Sequence, residues 1–401
     1  MSRTSPNRTA PLDGVVVASF EHAVAVPYAA RLLADLGATV VKVERRGTGD
    51  FARHYDRSCG EVSSYFAWVN GGKQSITLDL KHPAGREVAT RLVAASDVVL
   101  CNFAPAAAER LGLSAERLRA ERPALIVAAL SSYGDDGPYA ERKAFDALVQ
   151  SEAGLVSLTG EGEVTARAGI SVADIAGGTQ LHAAVLAALL HRARTGEGAT
   201  IRLSLLEALA EWMQQPLLYA LGTGAAPPRT GAHHASIAPY GPFRCGDGGT
   251  VHLAVQNEPQ WQRLCADVLS RPELAHDPRF ASNPLRVEHR VPLHAELDAA
   301  FAGHTEASLL AALHAADVPA GSTRDLFGVA AHPQLAARSR WAALPVPGGD
   351  PVRLLRPPVD SSAWTWHPSP VPALGEHTDE VLARLGYSPA EVAALRSTAA
   401  I

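Results

Sequence analysis

The 401-residue chain is 47% hydrophobic and 19% charged, the composition of a folded globular protein with no long disordered tract. Thirty-six basic and 41 acidic residues leave a net charge of −5 with no basic stripe, which argues against nucleic acid as a partner. The opening residues MSRTSPNRTAPLDG lack the apolar core of a secretory signal, AAVLAALL at 183–190 is too short to span a bilayer, and Cys59, Cys101, Cys245 and Cys265 form no C-x-x-C pair, so a reducing, cytoplasmic setting without zinc or disulfides is expected.

Residues 14–20 (GVVVASF) read as a strand buried on both faces. Residues 27–36 follow as a helix with Pro27 in its first turn and Gly37 at its end, and 38–44 (ATVVKVE) form a second buried strand. The alternation continues with a strand at 75–80, a helix over 83–95, strands at 97–103 and 124–133, and a helical segment near 106–111 between them. Asp146 stands on the opening turn of a further helical segment, and Asp174 opens a helix that runs through Leu190. A strand at 199–205 and a long helix over 205–221 complete residues 1–221. This pattern predicts an α/β domain with a Rossmann-like, doubly wound parallel sheet. A Gly/Pro/Ala-rich linker over 222–240 separates it from a smaller α+β block at 241–330, and a Pro-rich stretch at 342–372 precedes short terminal helices.

The commonest chemistries of such a sheet are missing. The first strand is followed by EHAVAVPY rather than G-x-G-x-x-G, and neither a P-loop nor a G-x-S-x-G elbow occurs. His233–His234 reads as a solvated loop rather than a metal site. Asp174 has two readings: a helix N-cap, or a carboxylate nucleophile held ionised at a helix start, with Gly177 and Gly178 permitting close approach of a substrate or a backbone.

Six segments in order decide between them. PLDGVVVASF at 11–20, PYAARLLADLGATVVKVERRGTGD at 27–50, NGGKQSITLDLKHPAGRE at 70–87, NFAPAAAERLGL at 102–113, SSYGDDGPYAERKAFDALVQSEAGL at 131–155 and VPALGEHTDEVLARLGYS at 371–388 resemble the family III CoA-transferases. The resemblance implies a large domain into which the smaller one is inserted, with 331–372 returning to it and 373–401 completing it. It also implies an interlocked homodimer, and coenzyme A as co-substrate with no permanently bound cofactor.

By the same resemblance Asp174 is the catalytic aspartate, passing through an aspartyl anhydride and an aspartyl-CoA thioester, and Asp146 is an orienting acid beside it. Arg45, Lys73, Asn102, Phe103, Arg110 and Lys143 match CoA-contacting positions, and His22 faces the active site. Val24 replaces a glutamine of the formyl-CoA transferases, and HHASIAPYGPF at 233–243 stands where their mobile glycine-rich loop is expected. HASIAPYGPF and VQNEPQW at 255–261 resemble the branch acting on mesaconate, itaconate, citramalate, malate and succinate, one member of which isomerises mesaconyl-CoA intramolecularly. Arg53, His54 and Arg57 then either pair with a free substrate carboxylate or form a solvated turn. Two rivals are an α-methylacyl-CoA racemase, which needs a histidine where Phe145 stands, and a non-catalytic CoA-binding protein.

Overall fold

The computed structural model describes residues 10–401. The apolar runs form six parallel strands: β1 (Val16–Phe20), β2 (Thr39–Arg45), β3 (Gln74–Leu78), β4 (Val98–Cys101), β5 (Ile126–Ser131) and β8 (Thr200–Ser204). They lie in the order β3-β2-β1-β4-β5-β8. Val17 and Ala18 face Val98 and Val99 across the β1/β4 ladder, and Ala18 and Ser19 face Val41 and Lys42 across β1/β2. Strand order reverses direction at β1, so the crevice for a ligand opens beyond the carboxyl ends of β1 and β4. The helices that wrap the sheet are α1 (Ala25–Asp35), α2 (Ser64–Asn70), α3 (Pro83–Ala94), α4 (Pro105–Arg110), α5 (Ala115–Glu121) and α6 (Asp146–Glu152).

The chain forms two compact units. The first contains the sheet and comprises the chain up to Gly154, Ala168–Gln214 and Ala337–Ile401. The terminal helices Thr378–Arg384 and Pro389–Ser397 belong to it, where Val381, Leu382, Val392 and Leu395 join the core formed by β1–β5 and α3. The Pro-rich stretch contains a hairpin, Trp341–Leu344 paired with Val352–Leu355, and Leu344 and Val346 pack with Phe66 of α2.

Within the first unit the 24-residue α8 (Val172–Thr195) is the one described helix long and apolar enough, at mean hydropathy 1.3, to cross a membrane. Ala173, Ala176, Gly177, Leu181, Val185 and Ala188 form its buried stripe, which packs against α1, α9 (Leu205–Trp212) and the sheet. Gly178 lies on α1: a Cβ there would meet the Ala25 carbonyl oxygen at 2.6 Å. Gly177 faces Leu205 of α9 and Leu130 of β5, so the glycine pair admits neighbouring elements of the fold, the second of the two expected uses. Gly196 ends α8 in the left-handed conformation, its N–H donating to the Arg192 carbonyl.

Two expectations change. The helix expected over 205–221 is broken at Met213 into α9 and α10 (Gln214–Thr223), because Pro216 has no N–H to donate and its ring clashes with the carbonyl four residues back. The N-terminal part of the first unit ends there, at Gln214, where 221 was expected. Leu155–Arg167, placed by its sequence in the large domain, folds instead with Gln215–Ala336 as the second unit. Its α7 (Leu155–Leu158) and hairpin strands β6 (Gly160–Glu161) and β7 (Val164–Thr165) are bound by Arg229, which donates to the Gly162 and Ser157 carbonyls. The second unit also holds the antiparallel sheet β11-β10-β9 (Ala320–Ser322, Thr250–Ala254 and Tyr240–Arg244), packed on helices through Trp261, Leu293, Leu297, Phe301 and Leu309.

Candidate active site

The site grows from the crevice beyond β1 and β4. After β1 the chain runs through Glu21, His22 and Ala23 before α1 begins. Asn102, directly after β4, clasps this turn from both sides: its Oδ1 accepts from the His22 N–H at 3.1 Å and its Nδ2 donates to the His22 carbonyl at 2.8 Å. The His22 ring stands edge-on to Phe51 at 5.0 Å and stacks on Phe103 at 6.0 Å. Burial lowers its pKa, so the imidazole is neutral at pH 7.

Beneath the turn lies a set of buried charges that sequence inspection missed. Lys42 of β2 pairs with Asp50 at 2.8 Å and Glu21 at 3.2 Å. Burial works against its charge, but the Asp50, Glu21 and Glu44 carboxylates outweigh that and hold it protonated well above the ordinary range. Asp50 Oδ1 accepts from the Ala23 and Ala52 N–H groups at 3.2 and 2.9 Å. Glu44, its pKa brought down to about 2 against the opposing effect of burial, takes both Nε and Nη2 of Arg53. The only sequence signal was Lys42 itself, a cation within the apolar strand ATVVKVE.

At the start of α8 the helix N–H groups go to Asp146 rather than to Asp174. Ser171 is the N-cap and Asp174 lies in the first turn, while the carboxylate that receives the helix N–H groups is that of Asp146. Asp146 Oδ1 accepts from Ala173 N–H at 2.8 Å and Asp174 N–H at 3.4 Å, and its Oδ2 accepts from Gln150 Nε2 at 2.6 Å. Gln150 fastens the preceding segment in turn, donating to the Ile170 carbonyl and accepting from Ala168 N–H. Asp174 is half-buried and gains no such support. Burial, and then the neighbouring Asp146 charge, push its carboxyl up to about 7. The expectation of an acid held ionised by the helix start is corrected: that stabilisation goes to Asp146.

The remaining expected residues separate into two groups. Arg45 at the end of β2, Arg110 at the end of α4 and Lys143 before α6 are exposed, and none of these side chains forms a hydrogen bond or ion pair with another described residue. Arg45 ends β2, while Arg110 and Lys143 lie in the segments that follow β4 and β5. Lys73 and Arg53, in contrast, are buried. The three N–H donors of Lys73 go to Glu21, the Pro27 carbonyl and Asn70 Oδ1 at the end of α2, at 2.5, 2.9 and 3.0 Å. Burial brings its pKa down to about 8 despite Glu21. Arg53 is occupied by Glu44 and the Pro372 carbonyl. Lys73 thus has no N–H left for a ligand, and the Nε and Nη2 of Arg53, which lines a cavity, are turned to Glu44. Asn102 likewise uses its amide on His22, leaving Phe103 to present a ring.

His54 and Arg57 remain exposed on the rim of a cavity of about 370 Å³. Between them and the acids runs an aromatic strip that sequence reasoning did not assemble: Phe51, 43% exposed, contacts Tyr55 at 5.8 Å and Phe145, 61% exposed, at 6.4 Å. Tyr55 feels Asp174: burial and then the Asp50 and Asp174 charges push its phenol up to about 12. A half-buried carboxyl near Tyr55, in a unit that also carries exposed, unpaired cations, suits nucleophilic attack on an acyl group carried by an anionic ligand.

Comparison with known proteins identifies a family. Residues 12–378 match the model of CoA-transferase family III. The chain is 36% identical to an acetyl-CoA:oxalate CoA-transferase of Acetobacter aceti, covering 88% of this chain and 92% of that protein. It is also 36% identical to a succinate–glutarate CoA-transferase of Agrobacterium fabrum, covering 95% and 97%. A crystal structure of a CAIB/BAIF family protein from Brucella suis superposes with a TM-score of 0.83 at 36% identity, covering 94% of this chain and 100% of that one.

Proposed function

The chain belongs to CoA-transferase family III and is an enzyme that transfers CoA, and on that premise we propose that Asp174 is the acyl carrier in transfer between short dicarboxylic acids. The observation that supports this most strongly is its half-buried carboxyl, raised to about 7 at the head of α8. Such a group is more basic than an ordinary carboxylate and is ionised in a substantial fraction at neutral pH.

Asp174 attacks the thioester carbonyl of the donor, forming an anhydride and expelling CoA thiolate. The thiolate attacks the aspartyl carbonyl, giving aspartyl-CoA and the free donor acid. The acceptor carboxylate then displaces CoA as a second anhydride, and the thiolate attacks the acceptor's carbonyl, releasing the new acyl-CoA and restoring Asp174. Each step exchanges one activated acyl bond for another. Asp146 orients Asp174 by fixing the first turn of α8, Arg45, Arg110 and Lys143 hold the phosphates of CoA, and His22 and Phe103 flank the reacting group.

Succinate, glutarate, mesaconate, itaconate, citramalate and malate are the proposed substrate class, since relatives carry the names of succinate–glutarate and oxalate transferases. Intramolecular transfer within mesaconyl-CoA belongs to the same scheme. Glu44 engages Arg53, so the exposed Arg57 guanidinium and the His54 imidazole beside it are the groups proposed to meet the distal carboxylate. Phe145 offers no base for the racemase reading. The working enzyme is proposed to be a homodimer. The test is incubation with succinyl-CoA and a panel of dicarboxylates, read by mass spectrometry. Asp174→Ala is expected to lower exchange by at least about 10³-fold while retaining acyl-CoA binding; an unaffected variant overturns the mechanism.

A further inference from the structure

Resting on that reading of the site, we propose that Asp50 is a positioning residue of the reaction: it holds the Glu21–Ala23 turn in a left-handed bend and thereby sets where His22 stands at the mouth of the β1/β4 crevice. Ala23 has φ of +64°, a conformation in which an L-alanine Cβ crowds the following carbonyl. A glycine would adopt it freely, and this turn has alanine instead. Something outside the residue must impose the bend.

The clamp is a closed ring of buried groups. On one side of His22, the Glu21 carboxylate pairs with Lys42. On the other, Ala23 donates its N–H to Asp50 Oδ1, while Asp50 Oδ2 accepts from the same Lys42. Both flanks of His22 therefore end on one ammonium. Lys73 extends the clamp forward, joining Glu21 to the Pro27 carbonyl in the first turn of α1. Asp50 is itself fixed, since its N–H donates to Glu44 Oε2 at 2.9 Å.

The same Asp50 oxygen that takes Ala23 also caps the short 3-10 turn Phe51–His54 through Ala52 N–H. That turn carries Phe51, whose ring meets His22 edge-on. One carboxylate thus holds the backbone just after His22, whose own N–H and carbonyl are taken by Asn102, and the turn that carries one of the rings against it. Asp50 is only 4% exposed and its oxygens are occupied, so it acts through its neighbours rather than on the substrate. A ring of charges costs more to bury than apolar packing would, but it is directional, and direction is what a strained turn requires.

The test compares Asp50→Ala, Asp50→Asn, Ala23→Gly and the double variant Asp50→Ala/Ala23→Gly in the full-length enzyme, with Asp174→Ala as reference. Asp50→Ala is expected to lower kcat by about 10²-fold, the cost of a misplaced reacting group, with KM for acyl-CoA little changed. Adding Ala23→Gly restores most of kcat, because glycine holds the bend unaided, while the thermal midpoint stays low. Asp50→Asn, which keeps an oxygen for Ala23, loses stability through the unmatched Lys42 but retains kcat within a few-fold; it also serves should Asp50→Ala not fold. NMR titration of the His22 imidazole adds a separate reading. Release of the turn to water raises its pKa in Asp50→Ala toward the free value of about 6.5, whereas removal of a negative charge from an intact turn lowers it further. Unchanged kcat in Asp50→Ala, equal loss in Asp50→Asn and Asp50→Ala, failure of glycine to restore kcat, or a falling His22 pKa would each overturn the proposal. Full exchange by Asp174→Ala would instead remove the nucleophile, leaving the Asp50 comparison readable on its own.

Discussion

At Asp174 burial and a neighbouring charge act in the same direction, both disfavouring the carboxylate, and the proposed nucleophile must lose its proton to react. The limb of kcat/KM against pH is therefore expected to rise through about 7 and level off above it. Asp146→Asn removes the smaller of the two causes, so the limb moves to lower pH without reaching the ordinary value near 3.8. A stopped-time assay across pH checks this, and a limb that stays fixed or moves upward contradicts it. Asp174 could be singled out from its segment and family pattern, but its ionisation could not. The acid that takes the helix N–H groups comes from 27 and 28 residues earlier in the chain, and no local rule links Asp146 to Ala173 and Asp174. Lys73 shows the same limit. A lysine in the turn NGGKQ carries no local sign of burial, and its partner Glu21 stands 52 residues away.

At the scale of elements, α8 holds the site through contact with α1. Gly178 allows this, and the Ala25 carbonyl, 2.6 Å from where a Cβ would stand, cannot swing aside as a flexible side chain would. Gly178→Ala is expected to destabilise by about 1–3 kcal/mol, as overpacked cores do, and to lower kcat by displacing Asp174; calorimetry and an exchange assay check both. The strands were legible because β-branched runs such as VVASF and VVLC have few other ways to bury themselves. Pro216 was equally visible in α10, yet the apolar periodicity over 205–221 masked it. The transfer of Leu155–Arg167 to the second unit was not legible, since it depends on Arg229 reaching carbonyls up to 72 residues away.

Across the first unit, the parallel sheet order places the segments that leave β1, β2, β4 and β5 along one edge, and Arg45 at the end of β2, Arg110 after β4 and Lys143 after β5 are exposed. If these cations hold CoA phosphates, replacing each by alanine raises KM for acyl-CoA several-fold with kcat nearly unchanged, and the effect shrinks at high salt. Steady-state kinetics at two ionic strengths check it; a loss confined to kcat contradicts it. The central claim, that one carboxylate is acylated and then regenerated, is tested most directly by turnover with an acceptor acid carrying heavy oxygen in its carboxylate. Restoring Asp174 from the second anhydride transfers one acceptor oxygen to it, so the proteolytic peptide containing Asp174 gains heavy oxygen during turnover. A fully active enzyme whose Asp174 peptide stays unlabelled would contradict the account.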